Sequence, residues 1–265
     1  MTEFFKRLRR ASWTYRQALT RVPARSGAPV SDLFIWKRGV GWQTFFDLTD
    51  MPGLYGEIDT SKVAPKSCVR LFDSAGRQLA EHYLAPPLHA RKLLNISDLI
   101  PGSGESTGTF CVFHPYTPRT VEALGSHLAE RGYVSYRFQD APLRNYVHGN
   151  FDAVSMNGAG SIEFLGGSGL RMREYRLQHE LATGSYDIAV VNPTSRMQAI
   201  GCDMLLVADG KKFDSLTAQL PPGGCHVFTV KPGNQSQRIV IRSKLVMARP
   251  VIFHIENQRL DVLHG

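Results

Sequence analysis

The chain carries one ordered series of features twice, and that repeat restricts its fold more than any other property of the sequence. CVRLFDSAG places Cys68 eight residues before Gly76, and CDMLLVADG places Cys202 eight residues before Gly210. Each glycine opens a turn into a polar run, and each half then reaches a Leu-plus-Pro-Pro step, Leu84 to Pro87 or Leu220 to Pro222. An aromatic run follows, YVSYRF from Tyr133 or PVIFHI from Pro250, before the closing runs RNYVHG and LDVLHG. His148-Gly149 and His264-Gly265 are therefore matching endings. Asp, Ser and Gly supply hairpin geometry, and paired prolines stop a ladder by removing N–H donors, so any single match has a local cause. Four matches in the same order point to duplication.

Beyond residue 30 the matched features sit among short runs of β-branched and aromatic residues divided by Gly, Pro, Asp and Asn. Gln43 to Leu48, Leu54 to Asp59, Thr109 to His114 and Ser185 to Asn192 are typical, and such spacing predicts strands and turns. Strands without intervening helices favour sandwiches over a parallel sheet. The chain thus reads as mainly all-β, with two tandem related β-sandwich domains of jelly-roll or Ig-like type spanning 30–155 and 156–265. The sequence NGAGS near the boundary reads as a flexible connector.

Two segments break the strand pattern. In residues 1–29, Phe4, Leu8, Ala11, Tyr15, Leu19 and Val22 recur every three or four positions, which predicts an amphipathic helix ended by Pro23. Between Pro118 and Arg131, Val121, Leu124 and Leu128 form a stripe that predicts a short helix capped by Gly132. This second helix belongs to the first domain and has no counterpart in the second, so a special site is favoured in the first.

Charge is concentrated in the N-terminal arm. Residues 1–25 hold seven basic side chains, among them Lys6, Arg7, Arg9, Arg10 and Arg16, against the single acid Glu3. The net charge of the whole chain is +8, so the remainder is nearly balanced. A basic amphipathic helix suits an anionic membrane surface or a protein partner. Nucleic acid is disfavoured, since no basic stripe with interleaved aromatics runs through the folded part. No run reaches the ~18 apolar residues of a membrane span, and the N-terminus lacks the apolar core of a secretory signal. A cytoplasmic protein, peripheral at the membrane, is the expected setting. Cys68, Cys111, Cys202 and Cys225 show no CxxC spacing and read as buried thiols.

No metal or cofactor pattern is present: the nine histidines form neither HxH nor HExxH, and the glycine-rich stretches lack the phosphate-cradling motifs. One constellation could carry chemistry. Were the strands YVSYRF and RNYVHG adjacent, His148 would act as general base, Glu130 or Asp152 would orient it, and Arg131 would hold an anion. His114, Tyr136, Arg137 and Asn150 would complete the binding surface. The recurrence of His-Gly opposes catalysis, because a shared ending is better explained by a shared structural role. The leading expectation is a non-catalytic binding or assembly protein attached through residues 1–25, with homo-oligomer formation compatible. The alternatives are a hydrolase or transferase acting on an anionic or sugar substrate at His148, and a glycan-binding module using aromatics such as Trp36, Trp42, Tyr55, Tyr83 and Tyr116.

Overall fold

The computed structural model describes residues 28–49, 66–85, 91–102, 104, 106–114, 129–130, 132–149, 153–246 and 249–265. Among these residues the protein is mostly β, with twenty strands in five four-stranded sheets and one helical turn, α1 (Ile96–Leu99). The first helical residues are ordered by Asn95, whose side chain accepts from the Ser97 N–H at 3.2 Å.

In the first half, β2 (Phe34–Arg38), β7 (Ser106–Phe113), β4 (Ser67–Asp73) and β5 (Gln78–Leu84) form one antiparallel sheet in that order. A second sheet runs β10 (Asn145–His148), β9 (Tyr133–Phe138), β3 (Trp42–Thr49), β6 (Arg91–Asn95). In the second half, β13 (Ser168–Leu181), β18 (Gln237–Leu245), β15 (Gln198–Leu206) and β16 (Lys212–Leu220) form the third sheet. The fourth runs β17 (Cys225–Val230), β14 (Ser185–Val191), β19 (Val251–Glu256), β20 (Arg259–His264). If these strands are ranked one to eight within each half, both halves give the same two orders, 1-6-3-4 and 8-7-2-5.

The fifth sheet is smaller. It joins β12 (Ile162–Phe164), β11 (Val154–Met156), β1 (Val30–Ser31) and β8 (Ala129–Glu130), with β1 and β8 parallel. Its β11–β12 hairpin is closed by residues 157–161, where Asn157 Oδ1 accepts from the N–H groups of Ala159 and Ser161. NGAGS is therefore a hydrogen-bonded turn rather than a flexible connector. Arg70 donates to the Gly160 carbonyl and pairs with Glu81 at 2.8 Å, tying this turn to the first sheet.

Three cores hold the sheets. One lies between the first two sheets and is built from Phe34, Trp36, Phe46, Leu71, Phe110 and Tyr136. Another lies between the third and fourth, with Leu181, Ile188, Cys202, Phe228, Ile241 and Ile252. The third is set between the first sheet and the β11–β12 hairpin and contains Cys68, Cys111 and Phe113. All four cysteines are buried free thiols.

The fourth sheet is covered on both faces. Along β14, Ile188 and Val190 enter the second core, while Ala189 and Val191 pack against the first. On β19 the split is Ile252 against Phe253. Period-two alternation normally turns one face to water, but here both faces are apolar, so the halves share a core.

Several expectations change at this level. The N-terminal helix lies outside the described residues, as does most of the Pro118–Arg131 helix. Ala129 and Glu130, its expected last turn, are strand and pair with Val30 and Ser31. The insertion that distinguishes the halves occupies 114–132, and its counterpart is the five-residue link 246–250 between the sixth and seventh strands. Trp36 and Trp42 do not form a surface platform. Trp36 is 1% exposed and its indole N–H donates to Phe72 and Thr109 carbonyls, while the Trp42 ring packs 5.4 Å from that of Phe253.

Candidate functional site

The two His-Gly endings meet at the seam between the halves. β10 and β20 are edge strands whose gap is bridged by side chains: the Asn145 amide donates to the Leu260 carbonyl at 2.7 Å, and His264 Nε2 donates to the His148 carbonyl at 2.9 Å. The imidazole centroids are 4.9 Å apart. His148 Nδ1 donates to the Gly149 carbonyl at 2.7 Å, and His179 Nε2 donates to the His264 carbonyl at 2.9 Å. A carbonyl only accepts, so neutral His148 carries its proton on Nδ1 and neutral His264 on Nε2.

The glycines are equivalent as well. The Gly149 N–H donates to Gly132 and the Gly265 N–H to Pro250, in each half the residue just before the seventh strand. Each is closely approached by a side-chain tip that an added Cβ would have to displace, Asp32 Oδ2 at 1.7 Å from the Cβ position of Gly149 and Leu177 Cδ2 at 2.5 Å from that of Gly265. The pair thus closes each half's eighth strand onto its first-strand region.

Above this closure, Asp32, Tyr136, His148, Arg249 and His264 contribute to a cleft with about 40 Å³ of room, enough for about three water molecules. Burial lowers the His264 pKa from its usual value, His148 and Arg249 push in the same direction, and the bond to the His148 carbonyl opposes them. Tyr136 is fully buried in the floor, where its hydroxyl donates to the Ile35 carbonyl at 2.8 Å and burial raises its pKa. On the far side of the seam a wider space of about 310 Å³ is lined by Ser74, Thr107, Gln219 and His226. There too burial lowers the histidine pKa.

The sequence-predicted residues distribute unevenly around the cleft. His148 and Tyr136 line it, whereas Arg137, next in the chain to Tyr136, points to the opposite face of β9 by strand alternation. His114 is buried beside Ser67, with Oγ and Nδ1 3.5 Å apart. Glu130 belongs to β8, in a different sheet from His148. Arg131, Asn150 and Asp152 lie outside the described residues, as do Lys6, Arg7, Arg9, Arg10 and Arg16. Asp32 and Arg249 were missed. Both sit in irregular connections, where no periodicity marks a residue's partner.

A second concentration of polar and apolar groups occupies one end of the third sheet. Between Ser168 and Arg173, β13 extrudes a bulge while β18 advances only from Leu245 to Ser243. The bulge exposes Leu170 at 97% and Met172 at 55%, and Met197, just ahead of β15 at the same end, is 57% exposed. Arg171, Arg173, Arg196 and Lys244 lie at this same end of the sheet, all exposed, and none makes an ion pair with a carboxylate among the described residues. Further along the same sheet the cations are matched: Arg238 pairs with Glu180 at 2.7 Å and Arg242 with Asp203 at 3.0 Å.

Among the described residues no helix is long and apolar enough to cross a membrane. Compared with known proteins, the chain matches no protein-family model and no curated protein.

Proposed function

We propose that the protein is a non-catalytic binding and assembly module of two duplicated β-sandwich halves, held peripherally against an anionic membrane on its cytoplasmic side. The identical strand orders support duplication of a β-sandwich half of jelly-roll or Ig-like type.

The observation that carries the functional reading is the bulged end of the third sheet. Large apolar side chains held in water cost free energy unless another surface receives them. Here Leu170 and Met172 share one end of the sheet with four exposed cations without carboxylate partners, which suits an anionic headgroup layer above an acyl boundary. The basic arm of residues 1–25, including Lys6, Arg7, Arg9, Arg10 and Arg16, adds a second contact of the same sign. The seam supports a structural use of the histidines, since both imidazoles donate to backbone carbonyls.

The test is sedimentation with vesicles containing phosphatidylserine or phosphatidylcholine alone. L170D/M172D should reduce binding to the anionic vesicles at least fivefold, deletion of residues 1–25 should reduce it further, and raised salt should weaken both contacts. Equal binding of the wild type to both vesicle types, or unchanged binding by both variants, sinks the proposal.

A further inference from the structure

The outer face of the second sheet presents a different kind of surface, remote from the bulge in the chain's architecture and built by the pairing of β10, β9 and β3. Val134, Tyr136, Phe46, Leu48 and Val147 fill the core, so their neighbours in the strands face outward. Register sets these in rows: Tyr133 opposite His148, whose imidazole turns to His264 at the seam, Tyr146 opposite Ser135 and then Phe45, and Arg137 opposite Gln43. Tyr133 is 48% exposed and Tyr146 44%, whereas Phe45 is buried between two guanidinium groups.

Those guanidinium groups are held by neutral partners. Arg144 lies 5.2 Å from the Phe45 ring centroid and donates through Nε and Nη2 to the Tyr146 hydroxyl at 3.2 and 3.0 Å. Arg137 lies 5.7 Å from the same ring and donates through Nε to Gln43 Oε1 at 2.8 Å. Neither makes an ion pair with a carboxylate among the described residues. The fold therefore orients two positive charges without neutralising them, unlike Arg70, Arg238 and Arg242, which all meet acids.

We infer that this face is a binding site for an acidic saccharide. The exposed tyrosine rings offer flat surfaces to the C–H face of a sugar, the paired guanidinium groups receive its carboxylate or sulfate, and Gln43 and Asp47 supply hydroxyl partners. The rows from Arg144 to His148 span about 14 Å, the reach of a short oligosaccharide. Asp47, on the same face of β3, disfavours a phosphodiester backbone, which needs a stripe of unbroken positive potential.

The experiment is calorimetric titration of the full-length protein with tetragalacturonate and with a sulfated heparin tetrasaccharide, two arms that separate carboxylate from sulfate recognition. Maltotetraose and an oligothymidylate serve as the neutral and nucleic-acid probes. At least one acidic tetrasaccharide should bind at least tenfold more tightly than maltotetraose. R144Q and Y146A should each weaken that binding at least tenfold, and Y133A, which alters only an exposed ring, should weaken it about threefold. R238Q, on the third sheet, should leave it unchanged. Failure of both acidic tetrasaccharides to bind overturns the inference, as does equal affinity for maltotetraose, preference for the oligothymidylate, or wild-type affinity in both Y146A and Y133A. Vesicle binding is read separately, so either proposal can fail alone.

Discussion

Two glycines that occupy the same place in the repeat have different duties. Gly76 and Gly210 both close the turn after the third strand of their half, with φ of +76° and +69°. That left-handed conformation costs a non-glycine residue about 1–2 kcal/mol. At Gly210 nothing lies within 4 Å of an added Cβ, whereas at Gly76 the Cβ would sit 1.9 Å from the Pro222 carbonyl oxygen in the other half. Gly210→Ala should therefore lower the unfolding free energy by about 1 kcal/mol, and Gly76→Ala by about 3 kcal/mol or more once overpacking is added. Urea unfolding of the two variants measures the difference, and equal losses would refute the close approach at Gly76. Only half of this is legible in the sequence. The spacing from Cys68 and Cys202 reveals the turns, but the Pro222 contact joins positions far apart in the chain and leaves no local mark.

At the scale of elements, runs whose alternation is intact were readable. Gln43 to Leu48 falls within β3, and the aromatic runs from Tyr133 and Pro250 are both seventh strands. β2 escaped because Lys37 breaks an apolar run, although its side chain is buried. The reason is a tertiary one: Lys37 Nζ lies 2.5 Å from Asp187 Oδ2 on β14 and 4.0 Å from the Trp42 ring centroid. Asp187 also accepts from Thr229 Oγ1 at 2.7 Å, so the carboxylate is fixed from both sides. Removing one member of such a pair leaves an uncompensated charge, whereas replacing both restores an apolar contact. Asp187→Asn should destabilise the protein by about 2–3 kcal/mol, less than for a fully buried pair because some water reaches the carboxylate. Lys37→Met in the Asp187→Asn background should recover at least half of that loss. A double-mutant cycle in urea checks the coupling, and strictly additive effects would show that the pair does not hold β2 to β14.

For the whole molecule, the decisive fact is that both faces of the fourth sheet enter a core, and the repeat seen in the sequence did not reveal it. A repeat identifies matching strands, but which faces of two copies meet depends on positions such as Ala189 and Phe253, whose apolar character looks the same in an isolated sandwich. The candidate site was legible to a similar degree: the His-Gly endings stood out, while their meeting across the seam did not. That meeting makes stability depend on pH. His264 faces the His148 imidazole and Arg249 and donates to a carbonyl, while His226 lines the far side of the seam, and burial lowers both pKa values below 6.5. In the window between each folded value and 6.5 the unfolded chain binds more protons than the folded one. The stabilisation from keeping these imidazoles neutral is therefore present above pH 6.5 and is lost as pH falls through that window. Urea unfolding at pH 7.5, 6.5 and 5.5 should show falling stability, with a smaller fall in H226Q/H264Q even though the variant starts lower at pH 7.5. Because Gln keeps a donor for the His148 carbonyl but cannot take up a proton, the variant separates titration from the loss of a hydrogen bond. An undiminished pH slope in H226Q/H264Q would move the acid sensitivity away from the seam.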